Sequence, residues 1–185
     1  KVYNGNTTAT TTLTLSGFIG SETLNSSNSS TFNNKNVGTG KAITVNSITL
    51  LDGSNGGLGA NYSISPGQTT NANVTAKSLT VSGITASNKT YDGNSNATVN
   101  LSLSGFVGSE TLNVTNISSF PNKNVETGKT ATVNSITLTD GTNGGLASNY
   151  SIYPGQTVTA TIIAKPLIVS GITSSNRTYD TTSSA

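Results

Sequence analysis

The side chains of this chain that could do chemistry are seven acids and nine bases among 185 residues. Histidine and cysteine are absent. That removes the commonest general base, every thiol nucleophile, every imidazole or thiolate metal ligand and any disulfide framework. The acids are Glu22, Asp52, Asp92, Glu110, Glu126, Asp140 and Asp180, and no two lie within several residues of each other. Calcium needs about 6–8 oxygen ligands, usually several of them carboxylates. Asp52 or Asp140 with the carbonyls of the adjoining glycine-rich loop would hold an ion only weakly, so no cofactor is expected. Gly56-Gly57 does not open a helix and no Lys-Ser/Thr follows it, so it is not a phosphate cradle. Glu22 and Glu110 have another chemistry open to them, because a carboxyl on a β-face can catalyse a Lys–Asn isopeptide crosslink. No Lys–Glu–Asn set stands out at the strand ends, and no such bond is expected in either repeat. Catalysis needs convergent titratable groups. With none in view, no catalytic, cofactor-binding or metal-binding residue is assigned, and the chain is expected not to be an enzyme.

The stretch that organises the sequence is Lys89-Thr90-Tyr91-Asp92-Gly93-Asn94. It stands at the start as Lys1-Val2-Tyr3-Asn4-Gly5-Asn6, and near the end as Arg177-Thr178-Tyr179-Asp180. Tyr3 and Tyr91 are 88 residues apart, and Tyr179 follows after another 88. Residues 1–88 align with 89–176 without a gap, and about two-thirds of the pairs are identical, far more than shared composition gives. Asp-Gly is a turn pair, because glycine tolerates positive φ. Asn4 keeps the turn and drops the charge, which fits a turn better than a site. The tyrosine is expected to cover a core with its hydroxyl at the rim. A unit of 88 residues can hold its own core and is too long for one solenoid coil, so separate globular beads are expected.

Only 9% of residues are charged and 32% hydrophobic, against typical values of about 25% and 45–50%. Ser, Thr, Asn and Gly fill the gap. Disorder usually combines low hydrophobicity with high net charge; here the charge is +2 and the apolar residues fall in patterned β-branched runs. That pattern predicts folded β-structure with a thin core. The scattered basic residues give no footprint for nucleic acid or an anionic membrane surface. No apolar run approaches the roughly 20 residues of a membrane span. Because the chain opens inside a repeat, a longer parent protein is expected, and missing targeting signals carry no weight.

Ala97, Val99, Leu101 and Leu103 alternate with polar residues, as do Ala9, Thr11, Leu13 and Leu15, which predicts half-buried strands. Phe18, between two glycine turns, reads as a core plug. Around Leu24 and Phe32 a short strand is expected. Ile43 and Val45 are in one phase and Ile48 and Leu50 in the other, so a β-bulge or sheet crossing is expected at Asn46-Ser47. Short strands follow at Tyr62-Ser63-Ile64 and through Val158, Ala160 and Ile162. The chain then runs without a tether through Ala76-Lys77-Ser78 into Leu79-Thr80-Val81-Ser82-Gly83-Ile84, and later into Leu167-Ile168-Val169-Ser170-Gly171-Ile172. These segments are expected to open the next bead. The expected division is residues 1–78, a repeat lacking its opening strand; 79–166, a second repeat; and 167–185, the start of a third. The expected fold class is all-β, a tandem of antiparallel immunoglobulin-like β-sandwich beads in an elongated rod. The alternative is a β-grasp-like unit, whose helix has no support in the sequence.

The Tyr-Asp-Gly turn, Gly105-Phe106-Val107-Gly108-Ser109-Glu110-Thr111-Leu112, Asn122-Lys123-Asn124-Val125 and Asn149-Tyr150-Ser151-Ile152 return in order from the first repeat. Together they resemble the YDG repeats of large bacterial surface adhesins, including relatives of filamentous haemagglutinin secreted by a two-partner route. The resemblance covers the whole chain, with departures at Asn4 and Thr181. It implies a stalk or spacer repeat of an extracellular, cell-surface or biofilm-matrix adhesin, projecting an adhesive region from the cell, and it brings no catalytic residues. Implied partners are neighbouring repeats of the same chain and a host or matrix glycan or protein, with no nucleic acid and no membrane insertion of this segment. An alternative is a glycan- or protein-binding module, which would need an exposed aromatic platform; Tyr153 is the one aromatic residue without a counterpart, facing Ser65. Thr10, Thr12 and Thr14 form a ladder able to order water, but Thr98, Asn100 and Ser102 break it in the second repeat, leaving solvent-facing strand residues. The glycosylation sequons at Asn6, Asn61 and Asn149 follow from the abundance of Asn, Ser and Thr.

Overall fold

The computed structural model describes residues 1–179 and 181. Asp180, the acid of the third Tyr-Asp copy, lies outside the described residues. Among the described residues there is no α-helix, and the chain is built from β-strands with two single 3-10 turns, Gly59–Asn61 and Ala147–Asn149.

In the first repeat the strands are β1 (Thr8–Ala9), β2 (Leu24–Phe32), β3 (Gly38–Asp52) and β4 (Thr69–Val74). The connecting stretch holds β5 (Lys77–Ser78) and β6 (Thr80–Ala86). The second repeat holds β7 (Lys89–Thr90), β8 (Asn96–Ala97), β9 (Val99–Ser104), β10 (Leu112–Ser119), β11 (Glu126–Asp140), β12 (Tyr150–Ser151) and β13 (Thr157–Ile163). Strands β1-β2-β3-β4 form one sheet and β7-β13-β11-β10-β8 another, while β6 pairs with β9 and β5 with β12. The two large sheets are antiparallel except where β7 runs parallel to β13, matched in the first repeat by a parallel bridge between Val2 and Thr75.

The phase slip in the longest strand is a bulge. Ser29 pairs with Ser47 and Ser30 with Val45, leaving Asn46 unpaired; Asn134 is passed over in the same way between Ser135 and Val133. The bulge lets Ile43 and Val45 turn inward while the far half of β3 changes face. Tract 25–30, almost all Asn and Ser, becomes part of the nine-residue β2 because it pairs along β3, which carries the apolar residues.

Three expectations need correcting. Residues 10–16 keep alternating exposure but form no strand, unlike their counterpart β9. Tyr62-Ser63-Ile64 is not a strand, although Tyr150–Ser151 is. Leu167–Ile172 is likewise no strand, whereas the matching residues of β6 are. In each case the missing element is one whose pairing partner is missing too, because a strand exists only through its neighbour's hydrogen bonds.

The core has two parts. One lies within the second repeat and joins Val99, Phe120, Ala131, Val133, Ala160 and Ile162, with Ile84 and Ala86 of β6 laid against it. The other gathers Tyr3, Phe32, Ile43 and Val74 of the first repeat, and continues without interruption into Leu79 and Tyr150. Lys41 and Lys129 are buried as well. The Lys41 ammonium is held by the Asn34 backbone and side-chain oxygens and the Asn36 carbonyl; Lys129 meets the Asn122 side chain and the Asn124 carbonyl. Each lysine thereby fixes the Asn-Lys-Asn-Val loop that crosses above it.

Candidate functional site

The repeated blocks meet where the first repeat abuts the second. The turn at Asn4-Gly5 is closed by the Asn6 N–H on Asn4 Oδ1 at 3.3 Å, and the turn at Asp92-Gly93 by the Asn94 N–H on Asp92 Oδ1 at 3.1 Å. Gly5 has φ +81°, and a Cβ there would lie 2.6 Å from Val107 Cγ1. The glycine therefore serves both the turn and the close approach of the two repeats. Just before it, the Tyr3 N–H donates to the Thr75 carbonyl at 2.8 Å, which aims the tyrosine ring out of its own repeat and into the next.

There Tyr3 is 1% exposed. Its ring meets Tyr150 edge-on, centroids 5.5 Å apart, and Tyr150 meets Phe106 in the same manner at 5.6 Å. Both phenols donate to one carboxylate: Tyr3 to Glu110 Oε1 at 2.6 Å and Tyr150 to Oε2 at 2.7 Å. Lys35, on the loop fixed by Lys41, donates to Oε1 at 2.9 Å and closes an ion pair between repeats. The Tyr150 hydroxyl also accepts the Val107 N–H at 2.9 Å. Burial would raise the Glu110 carboxyl's pKa, but the bonds from Tyr3, Lys35 and Tyr150 outweigh it and hold the value below the ordinary range. Burial, with the Glu110 charge beside it, pushes the Tyr150 phenol up to about 12.

A second set of bonds flanks the first. Asn149 is fully buried; its Oδ1 accepts the Val37 N–H at 2.9 Å and its Nδ2 donates to Asn36 Oδ1 at 3.1 Å. The chain crosses between repeats along β5, which runs parallel to β12, and the Leu79 N–H donates to the Ser151 carbonyl at 2.8 Å. Every repeated block supplies a part of this joint: tyrosine and glycine from the turn, lysine and valine from the Asn-Lys-Asn-Val loop, Phe106 and Glu110 from one stretch, and Asn149 and Tyr150 from another.

Half of the same assembly stands at the other end of the first repeat. Tyr62 donates to Glu22 Oε2 at 2.5 Å and accepts the Ile19 N–H at 3.0 Å, and Phe18 packs edge-on against it at 5.8 Å. Phe18 is thus a wall of the half-joint and not a plug in its own core. The complementary half, with Tyr91, Lys123, Asn124 and Val125, lies at the far end of the second repeat. There Tyr91, Asn124, Val125 and Leu167 border a shallow cavity of about 450 Å³.

The residues singled out from sequence fall variously. Tyr3 is no rim residue of its own core but the wedge of the joint, and Glu110 is the acceptor it reaches. Asp52 Oδ1 accepts the Gly59 N–H and Asp140 Oδ1 the Ala147 N–H, both at 2.7 Å, so each carboxylate caps its own loop. Among the described residues no three His, Cys, Asp or Glu stand together. Thr10, Thr12 and Thr14 are exposed, and so is Tyr153. Of the sequons, Asn149 is sealed inside the joint, whereas Asn61 is exposed. Sequence reasoning missed Lys35, Val37, Asn149 and Tyr150 as members of a site. The one available signal was that polar, non-turn residues recur unchanged in these blocks. Among the described residues no helix is long and apolar enough to cross a membrane. No curated protein and no solved structure matches the chain. A model of the YDG domain matches residues 1–72 and again 75–160, and the chain belongs to that family.

Proposed function

We propose that this chain is a structural stalk of a bacterial cell-surface or biofilm-matrix adhesin, a tandem of immunoglobulin-like β beads that holds an adhesive region away from the cell outside it. The observation that carries this reading is the joint: the recurring polar and aromatic residues are spent on repeat-to-repeat contact. A spacer's function is its shape, and a joint of two phenols, one lysine and one buried carboxylate resists bending far better than a Gly/Ser tether, which behaves as a coil.

Small-angle X-ray scattering, extrapolated to zero concentration, tests it. A single compact globule of this length has a radius of gyration of about 16 Å, and one repeat about 12 Å. Two beads in line, with centres about 35–40 Å apart, combine to about 22 Å. A value near 16 Å would mean that the repeats fold back on each other, and the stalk reading fails. A glycan array run on the same protein addresses the binding-module alternative, with a Tyr153→Ala variant reporting on the exposed ring.

A further inference from the structure

The first repeat has an open slot and the chain carries the strand that fits it. In the second repeat β6 pairs antiparallel with β9, Val81 opposite Leu103 and Ile84 opposite Leu101, and lays Ile84 and Ala86 on the core. Eighty-eight residues earlier, the equivalents of β9 are Thr11–Ser16, which have no strand beside them. They are nevertheless held in a strand's place: Asn28 Nδ2 donates to the Thr11 carbonyl at 3.1 Å, as Asn116 Nδ2 does to the Val99 carbonyl at 2.8 Å. Beside them is a cavity of about 430 Å³ lined by Leu13, Ile43, Val45 and Ala72. The counterparts of those four, Leu101, Ala131, Val133 and Ala160, are the residues against which β6 is packed.

At the other end, Leu167–Ile172 repeats the sequence of Leu79–Ile84 at five of six positions. Leu79 is 4% exposed, while Leu167 is 93% and Ile172 is 90% exposed. The four apolar side chains of this segment are among the most exposed hydrophobic residues of the chain. An unpaired edge and an exposed apolar strand sequence are each a template for pairing with another chain.

We propose that Leu167–Thr173 of one copy adds as an antiparallel strand to Thr11–Ser16 of a second copy. Ile172 lies opposite Leu13 and Val169 opposite Leu15, by the register of β6 on β9. The same docking brings Tyr91 and Lys123 of the first copy to Glu22 and Tyr62 of the second, completing the half-joint with the contacts that Tyr3 and Lys35 make to Glu110 and Tyr150. The contact is heterologous and leaves a free slot and a free strand at the two ends, so copies add head to tail into open filaments. This inference rests on the 88-residue equivalence and on the open slot, and not on the stalk reading.

The absence of cysteine makes disulfide trapping a clean test. In the full chain, Leu13→Cys with Ile172→Cys places the thiols in register, while Leu13→Cys with Val169→Cys places them out of register. On oxidation the in-register variant is expected to give a ladder of covalent multimers, at least ten-fold more than the other. A crosslink confined to single chains would mean that the tail folds back on its own first repeat. Equal ladders, or none, would mean that the slot does not take this strand. Either result overturns the proposal. In the wild-type chain, sedimentation equilibrium is expected to show concentration-dependent association. Leu167→Glu with Ile172→Glu, at positions that touch nothing in the free chain, is expected to weaken it about 100-fold from the lost burial of two side chains. A chain that stays monomeric at millimolar concentration overturns the proposal as well.

Discussion

Replacing Glu110 by alanine tests the joint directly, because the same chemistry sits 88 residues earlier as a control. Glu110 is 7% exposed and accepts three bonds, two from buried phenols and one from Lys35. A hydrogen bond to a charged group contributes about 1.5–3 kcal/mol, and removing the acceptor leaves the donors unsatisfied. The Lys35 side chain is 37% exposed, so solvent screening reduces its share to about 0.5 kcal/mol. The two phenols set the scale, and Glu110→Ala is expected to cost about 3–5 kcal/mol, the range for breaking a buried charged cluster. Glu22→Ala removes one bond, from the half-exposed Tyr62, and is expected to cost about 1 kcal/mol. Urea unfolding, followed by circular dichroism and tyrosine fluorescence, reads both. In Glu110→Ala the transition is expected to shift by the larger amount, or to split as the repeats uncouple. Equal shifts for the two variants would refute the claim that Glu110 is the keystone of the contact between repeats.

The joint also predicts a pH dependence. Glu110 titrates below its ordinary value of 4.5, so its contribution is fully present above about pH 4.5 and is lost as pH falls through the folded pKa; urea midpoints from pH 2.5 to 6 should fall more steeply for wild type than for Glu110→Gln. At the alkaline end the Tyr150 phenol, raised to about 12, contributes stability that is present below pH 10 and lost above it, and a late step in the 295 nm titration should vanish in Tyr150→Phe. Gly141→Ala should cost about 3 kcal/mol or more in thermal unfolding, since its Cβ would lie 2.2 Å from the Thr111 carbonyl oxygen, a backbone atom that cannot swing aside. Intact mass should show no loss of ammonia from a Lys–Asn bond, even though Lys129 meets the Asn122 side chain, because the nearby Glu126 is over half exposed and Gly38 stands at its place in the first repeat; a deficit of one ammonia overturns this.

What depends on periodicity was legible. The 88-residue register, the alternation in β9 and the phase slip at Asn46 all follow from side chains a strand must turn inward or outward, and the structure places a bulge at that residue. What depends on partners was not. Residues 10–16 carry the same alternation as β9, but a strand is a relation between two segments, and only one of them is there. The buried Lys41 and Lys129 escaped notice because lysine is a surface residue by default, and nothing local announces three oxygens converging on the ammonium. Tyr3 was assigned to its own core for a similar reason: a tyrosine beside a turn looks alike whether its ring folds back or reaches forward. The direction was set by the Thr75 carbonyl, seventy-two residues away, and by a carboxylate in the other repeat.

The half-joint at the start of the first repeat shows how the contact is made cheap to form. Glu22, Tyr62 and Phe18 hold one another in nearly the arrangement of Glu110, Tyr150 and Phe106, although no tyrosine from a preceding repeat is in place. The acceptor is therefore assembled before its partner arrives, and the partner has only to bring its own ring and ammonium. Both of these are fixed in advance as well: the ring by the turn and the parallel contact at Thr75, the ammonium by the loop that Lys41 holds from beneath. When both faces are rigid beforehand, little side-chain freedom remains to be lost on docking, and the bonds formed appear almost in full as coupling between repeats. A hinge at this point would have to break the Leu79 bond to Ser151, expose Leu79 and strand two phenols and a carboxylate together. Bending on that scale costs as much as unfolding a small domain, which is why the stiffness of such an array would reside in these recurring blocks and not in the strands between them.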